Sequence, residues 1–171
     1  NITEAAVGDL NNDGYDDLTV AAFGNSNMAP MGGSVSVIHG PISSDLSIAD
    51  ATATVEGDSY GLGAGTTLDS AGDVDGDGHP DLVIGMWITP TEQVSTTGMV
   101  LLAPFEGTQA MSEIAVSLRV PTDELETTYR TRVTGAGDVD ADGYADVALW
   151  PIKSRHALET GSIYLFSGTG I

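Results

Sequence analysis

The stretch Gly72-Asp73-Val74-Asp75-Gly76-Asp77-Gly78-His79-Pro80-Asp81 decides the fold of this chain, because two further stretches repeat its pattern. They are Gly8-Asp9-Leu10-Asn11-Asn12-Asp13-Gly14-Tyr15-Asp16-Asp17 and Gly137-Asp138-Val139-Asp140-Ala141-Asp142-Gly143-Tyr144-Ala145-Asp146. Asp9, Asp73 and Asp138 begin the acidic part of each copy, at spacings of 64 and 65 residues. A fixed period of this length indicates a protein built from tandem structural repeats.

A second motif keeps nearly the same period. Gly33-Ser34-Val35-Ser36-Val37 recurs as Gly98-Met99-Val100-Leu101-Leu102 and as Gly161-Ser162-Ile163-Tyr164-Leu165, at spacings of 65 and 63 residues. Two motifs that stay in step over three copies predict a single domain of three repeats. We assign the repeats to residues 1–58, 59–124 and 125–171. We expect the opening strand of the first repeat to be truncated and the outer strand of the third to be absent.

Each repeat contains apolar residues that alternate with polar ones, which is typical of β-strands. The alternating residues after the three acidic loops are Leu18, Val20 and Ala22, then Leu82, Ile84 and Met86, then Val147 and Leu149. Further alternating stretches run from Ala51 to Val55 and from Ala115 to Val120, and the nearest candidate for a helix is Glu113 to Leu118. Short strands divided by glycine-rich turns are typical of propeller blades. We predict an all-β fold of three blades with about four antiparallel strands each, forming a partial propeller or one completed by self-association.

The three loops place oxygen-bearing side chains at alternating positions and close on an aspartate at the ninth position. Calcium prefers six to eight oxygen ligands at ~2.3–2.6 Å, which such a tight loop can direct to one point. We expect backbone carbonyls from Tyr15, His79 and Tyr144 and a sharp, positive-φ turn at the glycine before each. The predicted side-chain ligands are Asp9, Asn11, Asp13 and Asp17, then Asp73, Asp75, Asp77 and Asp81, then Asp138, Asp140, Asp142 and Asp146. The sequence therefore predicts three Ca²⁺ sites.

The loops differ from an EF-hand, which needs a bidentate glutamate at position twelve followed by a helix. Position twelve is Val20, Ile84 or Leu149, each within an alternating apolar stretch. The pattern therefore indicates a strand–loop–strand calcium site. The alternative for any single loop is a plain turn, because Asp-Gly and Asn-Gly are common turn formers; three matching copies favour calcium.

The charge of the chain supports bound cations and excludes two classes of partner. The 171 residues include 25 acidic and 5 basic ones, for a formal net charge of -20. Such an acidic surface repels nucleic acid and anionic membranes. Empty acidic loops would also repel themselves, so we expect calcium to stabilise the folded state. Magnesium should substitute poorly, because it requires a smaller and stricter octahedron.

No arrangement of residues predicts catalysis. The chain has no cysteine, and no pair of residues suggests a nucleophile with its base. A glycosidase would need an acid with a raised pKa that is not claimed by a metal, whereas the clustered carboxylates are explained as metal ligands. We therefore predict that the chain is not an enzyme.

At these residues the sequence resembles the FG-GAP repeat, the unit of the integrin α-subunit β-propeller. Gly72-Asp73 and Asp81-Leu82-Val83-Ile84-Gly85 match the family's calcium loop and the strand that follows it. Two positions depart from the pattern, because Ala64 replaces an aromatic residue and Arg130 replaces a glycine. The resemblance implies calcium bound in hairpin loops on one face of a propeller, with the other face or the rim available to protein partners.

The resemblance and the calcium loops together predict an extracellular or cell-surface protein, since extracellular modules often bind calcium at ~10⁻⁴–10⁻³ M. The absence of cysteine favours a bacterial source. The leading hypothesis is a module for adhesion or protein interaction, with structural calcium. The alternatives are a non-catalytic propeller appendage of an extracellular hydrolase and a purely structural spacer. Unpaired strand edges would also allow a homo-oligomer.

Overall fold

The computed structural model of the chain describes residues 2–88, 96–120, 129–153 and 162–171. The strands within these ranges are β1 (Ile2–Gly8), β2 (Asp17–Ala22), β3 (Ser34–Ile38), β4 (Ala53–Glu56), β5 (Ala64–Gly72), β6 (Asp81–Ile88), β7 (Gly98–Leu101), β8 (Gly107–Ala110), β9 (Ala115–Leu118), β10 (Tyr129–Gly137), β11 (Asp146–Lys153) and β12 (Tyr164–Phe166). The prediction of an all-β fold is confirmed. Gly161, which begins the third copy of the glycine motif, lies outside the described residues.

Helical structure in the described ranges is limited to short turns. The α-helix α1 (Met111–Ile114) is four residues long, and 3₁₀ turns occupy Ile48–Asp50 and Gly168–Gly170. Strand β9 follows α1 directly, so the alternating stretch that begins at Ala115 forms the predicted strand. In the part of the chain that the structure describes, no helix has the length and apolar character needed to cross a bilayer.

The strands form three antiparallel units that correspond to partial propeller blades. Blade 1 has the order β1-β2-β3-β4, blade 2 has β5-β6-β7-β9, and blade 3 has β10-β11-β12. Strand β8, which lies in the second repeat, pairs in parallel with β4 of blade 1. Blade 3 joins blade 2 through β10 and β6, where Tyr129 pairs with Ile88 and Arg130 with Trp87. The residue boundaries of the three repeats remain predictions.

The hydrophobic cores lie between the blades. The first core joins blades 1 and 2 and includes Val35, Val37, Leu82 and Ile84, all fully buried. The second core joins blades 2 and 3 around side chains such as Val100. Alternation along β6 therefore gives blade 2 two apolar faces, one for each neighbour.

An aromatic stack links the three blades where the second strands end. The rings of Phe23 and Trp87 stack with centroids 6.3 Å apart, and the guanidinium of Arg130 lies 5.6 Å from the Trp87 ring centroid. Phe23 follows β2 and Trp87 lies near the end of β6, whereas the acidic loops precede these strands. Trp87 is therefore used for packing between blades, with a cation–π contact from blade 3.

Candidate metal centre

The three acidic loops connect the first and second strands of each blade. A glycine with positive φ comes just before each loop, with φ of 88° at Gly8, 78° at Gly72 and 70° at Gly137. Each of these glycines sits at a β-bulge and pairs with the closing aspartate of its loop. Glycine adopts this conformation at little cost. The bulge sets the start of the loop opposite its end.

The glycines inside the loops also behave as the sequence predicts. Gly14, Gly78 and Gly143 have φ of 91°, 91° and 98°. The backbone N–H of each donates to the carboxylate of the first loop residue, as in the 2.7 Å bond from Gly14 to Oδ2 of Asp9. The sharp turn therefore brings the middle of the loop back towards its beginning.

Backbone amides orient the acidic side chains of every loop. In the second loop, Asp73 accepts hydrogen bonds from the N–H groups of Gly76 and Gly78 at 2.7 and 3.0 Å. Asp75 accepts from the N–H of Asp77 at 3.1 Å, and Asp77 accepts from that of His79 at 2.8 Å. The third loop repeats the last two bonds with distances of 3.1 and 3.0 Å. These bonds hold the carboxylates at the mouth of the loop.

The closing aspartate of each loop has a structural role that the sequence did not predict. Asp81 is fully buried, and its Oδ2 accepts from the N–H of Val74 at 2.9 Å while its Oδ1 accepts from that of Ala103 at 2.8 Å. Asp17 and Asp146 make the equivalent pair of bonds in the other blades. One carboxylate thus ties the loop to the segment that follows the third strand. The repeat of Asp at position nine singles out this residue in the sequence, whereas its partner after the third strand is set by the fold.

Carboxylates converge in the second and third loops. Asp73, Asp75 and Asp81 each offer an oxygen within 4.8 Å of the others, and Asp138, Asp140 and Asp146 do the same. Oxygens that bind one calcium at ~2.3–2.6 Å can lie at most about twice that distance apart. The two groups therefore fit a single divalent cation each. Asp77 and Asp142, predicted as ligands at the fifth position, are not members of these groups.

The predicted ligands of the first loop include one carboxylate fewer than those of the other two loops. Asn11 occupies the third position, and its Nδ2 donates to Oδ2 of Asp13 at 3.0 Å. Asp9 accepts from the N–H of Asp13 at 2.9 Å, and buried Asp17 closes the loop. The hydrogen bonds follow the same plan as in the other loops, so the first loop has a similar shape.

The predicted backbone ligands lie in the expected turns. The N–H groups of Tyr15, His79 and Tyr144 each donate to the aspartate two residues earlier. These bonds place the three residues at the mouths of their loops. The role of their carbonyl oxygens as ligands stays a prediction.

Burial changes the ionisation of the second loop. It raises the pKa of Asp81 from 3.8 to about 6; the N–H groups of Ala103 and Val74 lower this pKa, while the charges of Asp75 and Asp77 raise it. A cation bound beside Asp81 would favour the charged form and oppose these effects.

In the third loop, the pKa of the aspartate at the fifth position is shifted downwards rather than upwards. The pKa of Asp142 is lowered, first because the backbone N–H of Tyr144 donates to its carboxylate. The hydroxyls of Ser167 and Thr169 also donate to Oδ2 of Asp142, at 3.1 and 3.0 Å. The segment after β12 therefore braces this loop.

Neighbouring loops touch through residues that sequence analysis missed. Nδ2 of Asn12 donates to the carbonyl of Gly78 at 2.9 Å and lies 3.1 Å from Nδ1 of His79. Between the second and third loops, a Cβ at Gly76 would come within 2.6 Å of the ring of Tyr144. In both pairs, position four of one loop contacts position seven of the next. The three loops thus form a continuous strip.

The residues at position twelve of the loops lie in strands, which distinguishes these loops from EF-hands. Ile84 and Leu149 are buried in β6 and β11, and Val20 lies in β2. None of these three residues follows its loop on a helix. The loops are strand–loop–strand connections, as the sequence predicts.

Comparisons with known proteins agree with this architecture. Residues 1–38 match the FG-GAP repeat. Over 88 residues the chain is 42% identical to Integrin alpha pat-2 of Caenorhabditis elegans and 40% identical to Integrin alpha pat-2 of Caenorhabditis briggsae. Each match covers 48% of this chain and 7% of the relative, so the chain corresponds to a small part of the relatives' length. The chain is therefore similar to an FG-GAP repeat over residues 1–38 and to these integrin α subunits over about half of its own length.

Proposed function

We propose that the chain is a calcium-binding, non-catalytic module of integrin-like blades that serves protein interaction or adhesion outside the cell. The observation that carries the calcium proposal is the convergence of three carboxylates in each of two loops, within 4.8 Å of one another. Carboxylate and carbonyl oxygens suit calcium, and the chain has no cysteine to favour a softer metal. The relatives, both named as integrin α subunits, support the interaction role.

The proposed ligands follow the repeat. Loop three uses Asp138, Asp140, Asp142, Asp146 and the carbonyl of Tyr144; loop two uses Asp73, Asp75, Asp77, Asp81 and the carbonyl of His79; loop one uses Asp9, Asn11, Asp13, Asp17 and the carbonyl of Tyr15. Loop one is included because its backbone hydrogen bonds match those of the other two. The proposal therefore has three sites, of which the first has the lowest charge.

Calcium in this proposal is structural. Each loop joins two strands of one blade, and the first and second loops each contact the loop of the following blade, so an ordered loop supports both its own blade and a neighbour. The carboxylates of one empty loop lie close together and repel one another. A bound cation would replace this repulsion by attraction and stabilise the native state by mass action.

We also propose that the protein acts outside the cell and has a bacterial origin. Weak calcium sites suit the high calcium concentration outside cells, which agrees with integrin-type relatives. A bacterial origin rests on the lack of cysteine alone. The proposal includes self-association through the open strands of the end blades. It includes no nucleic-acid partner, because the net charge of -20 repels nucleic acid.

Equilibrium dialysis of the chain against calcium, followed by metal analysis, tests the calcium proposal. We expect three Ca²⁺ per chain, and a loss of one Ca²⁺ in each of the variants Asp73→Asn and Asp138→Asn, which remove the carboxylate that all three loops carry at their first position. Asp45→Asn is the matched control, because Asp45 is exposed and lies outside the loops. Equal binding by all variants, or no binding by the unmodified chain, would contradict the proposal. An excess of magnesium should displace little of the calcium.

The interaction role has a separate test. Beads coated with the calcium-loaded chain should adhere to cells or to a protein-coated surface, and beads coated with the double variant Asp73→Asn/Asp138→Asn should adhere less. Equal adhesion of both kinds of bead would show that adhesion does not depend on calcium-ordered blades.

A further inference from the structure

The segment between β7 and β9 leaves blade 2 and reaches back to blade 1. Its two ends are tied together, because the N–H of Leu102 donates to the carbonyl of Ile114 at 3.0 Å. We call residues 103–113, between these ends, the strap. The strap contains β8, which pairs in parallel with β4 over four residue pairs that begin with Ala53 and Gly107. The strap therefore adds a fifth strand to the sheet of blade 1.

Two buried side chains anchor the strap in the first core. Phe105 precedes β8 and is 5% exposed, and Met111 follows β8 and is fully buried. Both belong to the core that joins blades 1 and 2 and that also contains Val35 of blade 1. The hydroxyl of Ser112 donates to the carboxylate of Asp58, which lies between β4 and β5. Apolar burial on both sides of β8 thus holds the strap on blade 1.

The strap begins at the closing aspartate of the second acidic loop. Oδ1 of Asp81 accepts from the N–H of Ala103 at 2.8 Å, while Oδ2 of the same carboxylate accepts from the N–H of Val74 inside the loop at 2.9 Å. Groups that hydrogen-bond to a metal-ligating carboxylate orient it and tune the metal site. One carboxylate therefore contacts both the proposed calcium loop and the first residue of the strap.

The second loop and the strap also face one cavity. The cavity has a volume of about 370 Å³, and its lining includes Asp75 from the loop together with Glu106 and Glu113 from the strap. Without a cation these three carboxylates repel one another, which opposes closure of the strap on the loop. A cation held by Asp73, Asp75 and Asp81 would reduce this repulsion.

The junction of blades 1 and 2 lacks a hydrogen bond that the junction of blades 2 and 3 contains. The buried hydroxyl of Thr131 in blade 3 accepts from the N–H of Met86 at 2.8 Å and donates to the carbonyl of Thr97, and both partners belong to blade 2. Its repeat equivalent Thr66 is 9% exposed, and its hydroxyl has no hydrogen-bond partner among the described residues. A buried hydroxyl without a partner stabilises no junction. The first junction therefore depends more on the strap.

We propose that calcium bound in the second acidic loop holds the strap on blade 1, so that the junction of blades 1 and 2 opens more often when the ion is removed. The inference rests on the proposed calcium site and adds a connection from that site to the neighbouring blade. The ion fixes the carboxylate of Asp81, this carboxylate holds the N–H of Ala103, and the anchored strap holds β4. Because coupling between two sites is reciprocal, a closed strap raises the calcium affinity of the loop by the same factor.

Hydrogen–deuterium exchange of the full chain, in calcium and in chelator, tests the proposal. The reporting amides are those of β4 and β8, because opening of the strap breaks the ladder between these strands. Asp73→Asn removes the first-position carboxylate of the second loop, and Asp138→Asn removes that of the third. Asp138→Asn is the matched control, because the third closing aspartate, Asp146, bonds to Val139 and Gly168 rather than to the strap. Circular dichroism establishes that each variant is folded.

The expected result is local to the strap and specific to the second loop. Calcium should slow exchange at β4 and β8 by roughly 5- to 150-fold in the unmodified chain and in Asp138→Asn, the usual range for coupling between two sites. In Asp73→Asn, calcium should leave exchange at these strands unchanged. Equal slowing at β10 and β11 of Asp138→Asn would overturn the proposal, because calcium would then stabilise the whole chain rather than the strap.

The calcium content of the same samples separates this proposal from the proposed function. If the second loop binds calcium and exchange at β4 and β8 does not respond, the coupling is wrong while the proposed calcium site stands. An unmodified chain that binds no calcium contradicts both.

The reverse direction of the coupling gives a second test. Met111→Ala removes an anchor of the strap from the first core, and Val133→Ala removes part of a buried side chain from the second core as a control. In an Asp138→Asn background, Met111→Ala should weaken calcium binding at the second loop, whereas Val133→Ala should not. Ser112→Ala, which removes the bond to Asp58 and leaves the core intact, should cause a smaller loss in the same direction. Equal calcium affinities in all of these variants would overturn the proposal.

Discussion

The side chain of Asn12 donates a hydrogen bond to the carbonyl of Gly78 at 2.9 Å, which joins the first acidic loop to the second. The equivalent link between the second and third loops is made by backbone, because the N–H of Ala145 donates to the carbonyl of Asp73 at 2.9 Å. Pro80 holds the position of Ala145 in the second loop and has no N–H to donate. The side chain of Asn12 thus takes the place of a backbone link that proline removes.

Asn12→Gly should remove the hydrogen bond that joins the first two loops and thereby lower their calcium affinity. Asn12 has a φ of 58°, so glycine keeps the backbone conformation while the hydrogen bond is lost. A lost hydrogen bond of ordinary strength corresponds to roughly a 2- to 10-fold weaker calcium affinity at the coupled loop. Calcium titration in an Asp138→Asn background, which removes the first-position carboxylate of the third site, measures this change.

Ala141→Gly is the matched control for Asn12→Gly. Ala141 holds the same position in the third loop, with a φ of 63°, and the described residues contain no following loop for it to contact. Its replacement should leave the affinities of the first and second loops unchanged. Equal effects of the two variants would show that backbone freedom, rather than the link to Gly78, controls binding.

The stability contributed by Asp81 should decrease as the pH rises from 3.8 to about 6. The pKa of this buried carboxyl is raised in the folded state, so the unfolded chain releases its proton at a lower pH than the folded chain does. Folding is therefore most favoured, as far as this group is concerned, below pH 3.8. Urea unfolding of the metal-free chain and of Asp81→Asn, compared across this range, isolates the effect. A difference between the two that does not change with pH would contradict it.

Calcium binding at the second loop should respond to pH in the opposite sense. The ion requires the carboxylate, and a proton competes for Asp81 below a pH of about 6. We expect the affinity of the second loop to increase as the pH rises through this value. Titration of the Asp138→Asn variant with calcium at several pH values measures the change, and an affinity that is constant across the range would count against Asp81 as a ligand.

Asp146→Asn should destabilise the chain even without calcium. Both oxygens of this buried carboxylate accept backbone N–H bonds, from Val139 at 2.8 Å and Gly168 at 3.1 Å. An amide group would turn one acceptor into a donor that faces another donor, at a cost of about 1–3 kcal/mol in the free energy of unfolding. Asp140→Asn removes the same charge from an exposed position in the loop and should change the metal-free stability much less. Urea unfolding in metal-free buffer distinguishes the two, and similar losses would contradict a structural role for Asp146.

Gly78→Ala should strain the second loop through its backbone alone. Gly78 has a φ of 91°, and a Cβ there would meet no atom within 4 Å. The left-handed conformation costs a residue other than glycine about 1–2 kcal/mol, and the distorted turn should also lower calcium affinity. Gly24→Ala is the control, since a Cβ at Gly24 is equally free of contacts and its φ is not positive. Thermal unfolding and calcium titration should show a clear loss for Gly78→Ala and little change for Gly24→Ala.

The local parts of the site were predictable because they depend on short spacings. Asp73, Asp75 and Asp81 stand at fixed offsets within one loop, and the glycine at position six takes the positive φ that the turn requires. Alternation after the loop predicted β6, since a strand with a period of two buries Leu82 and Ile84 on one face. Conversely, the double use of Asp81 as a link to Ala103 was not predictable, because the two residues are 22 positions apart in the chain.

By itself the sequence determined the repeat, the all-β character and the composition of the three loops, since each follows from residue types at short and regular spacings. Only the tertiary structure decided which neighbours meet. It paired β8 of the second repeat with β4 of the first, joined Asn12 to Gly78 across 66 residues, and buried Val74 while leaving Val139 exposed. Val74 and Val139 occupy the same position of the same motif, and they differ because burial depends on whether another blade packs over that position.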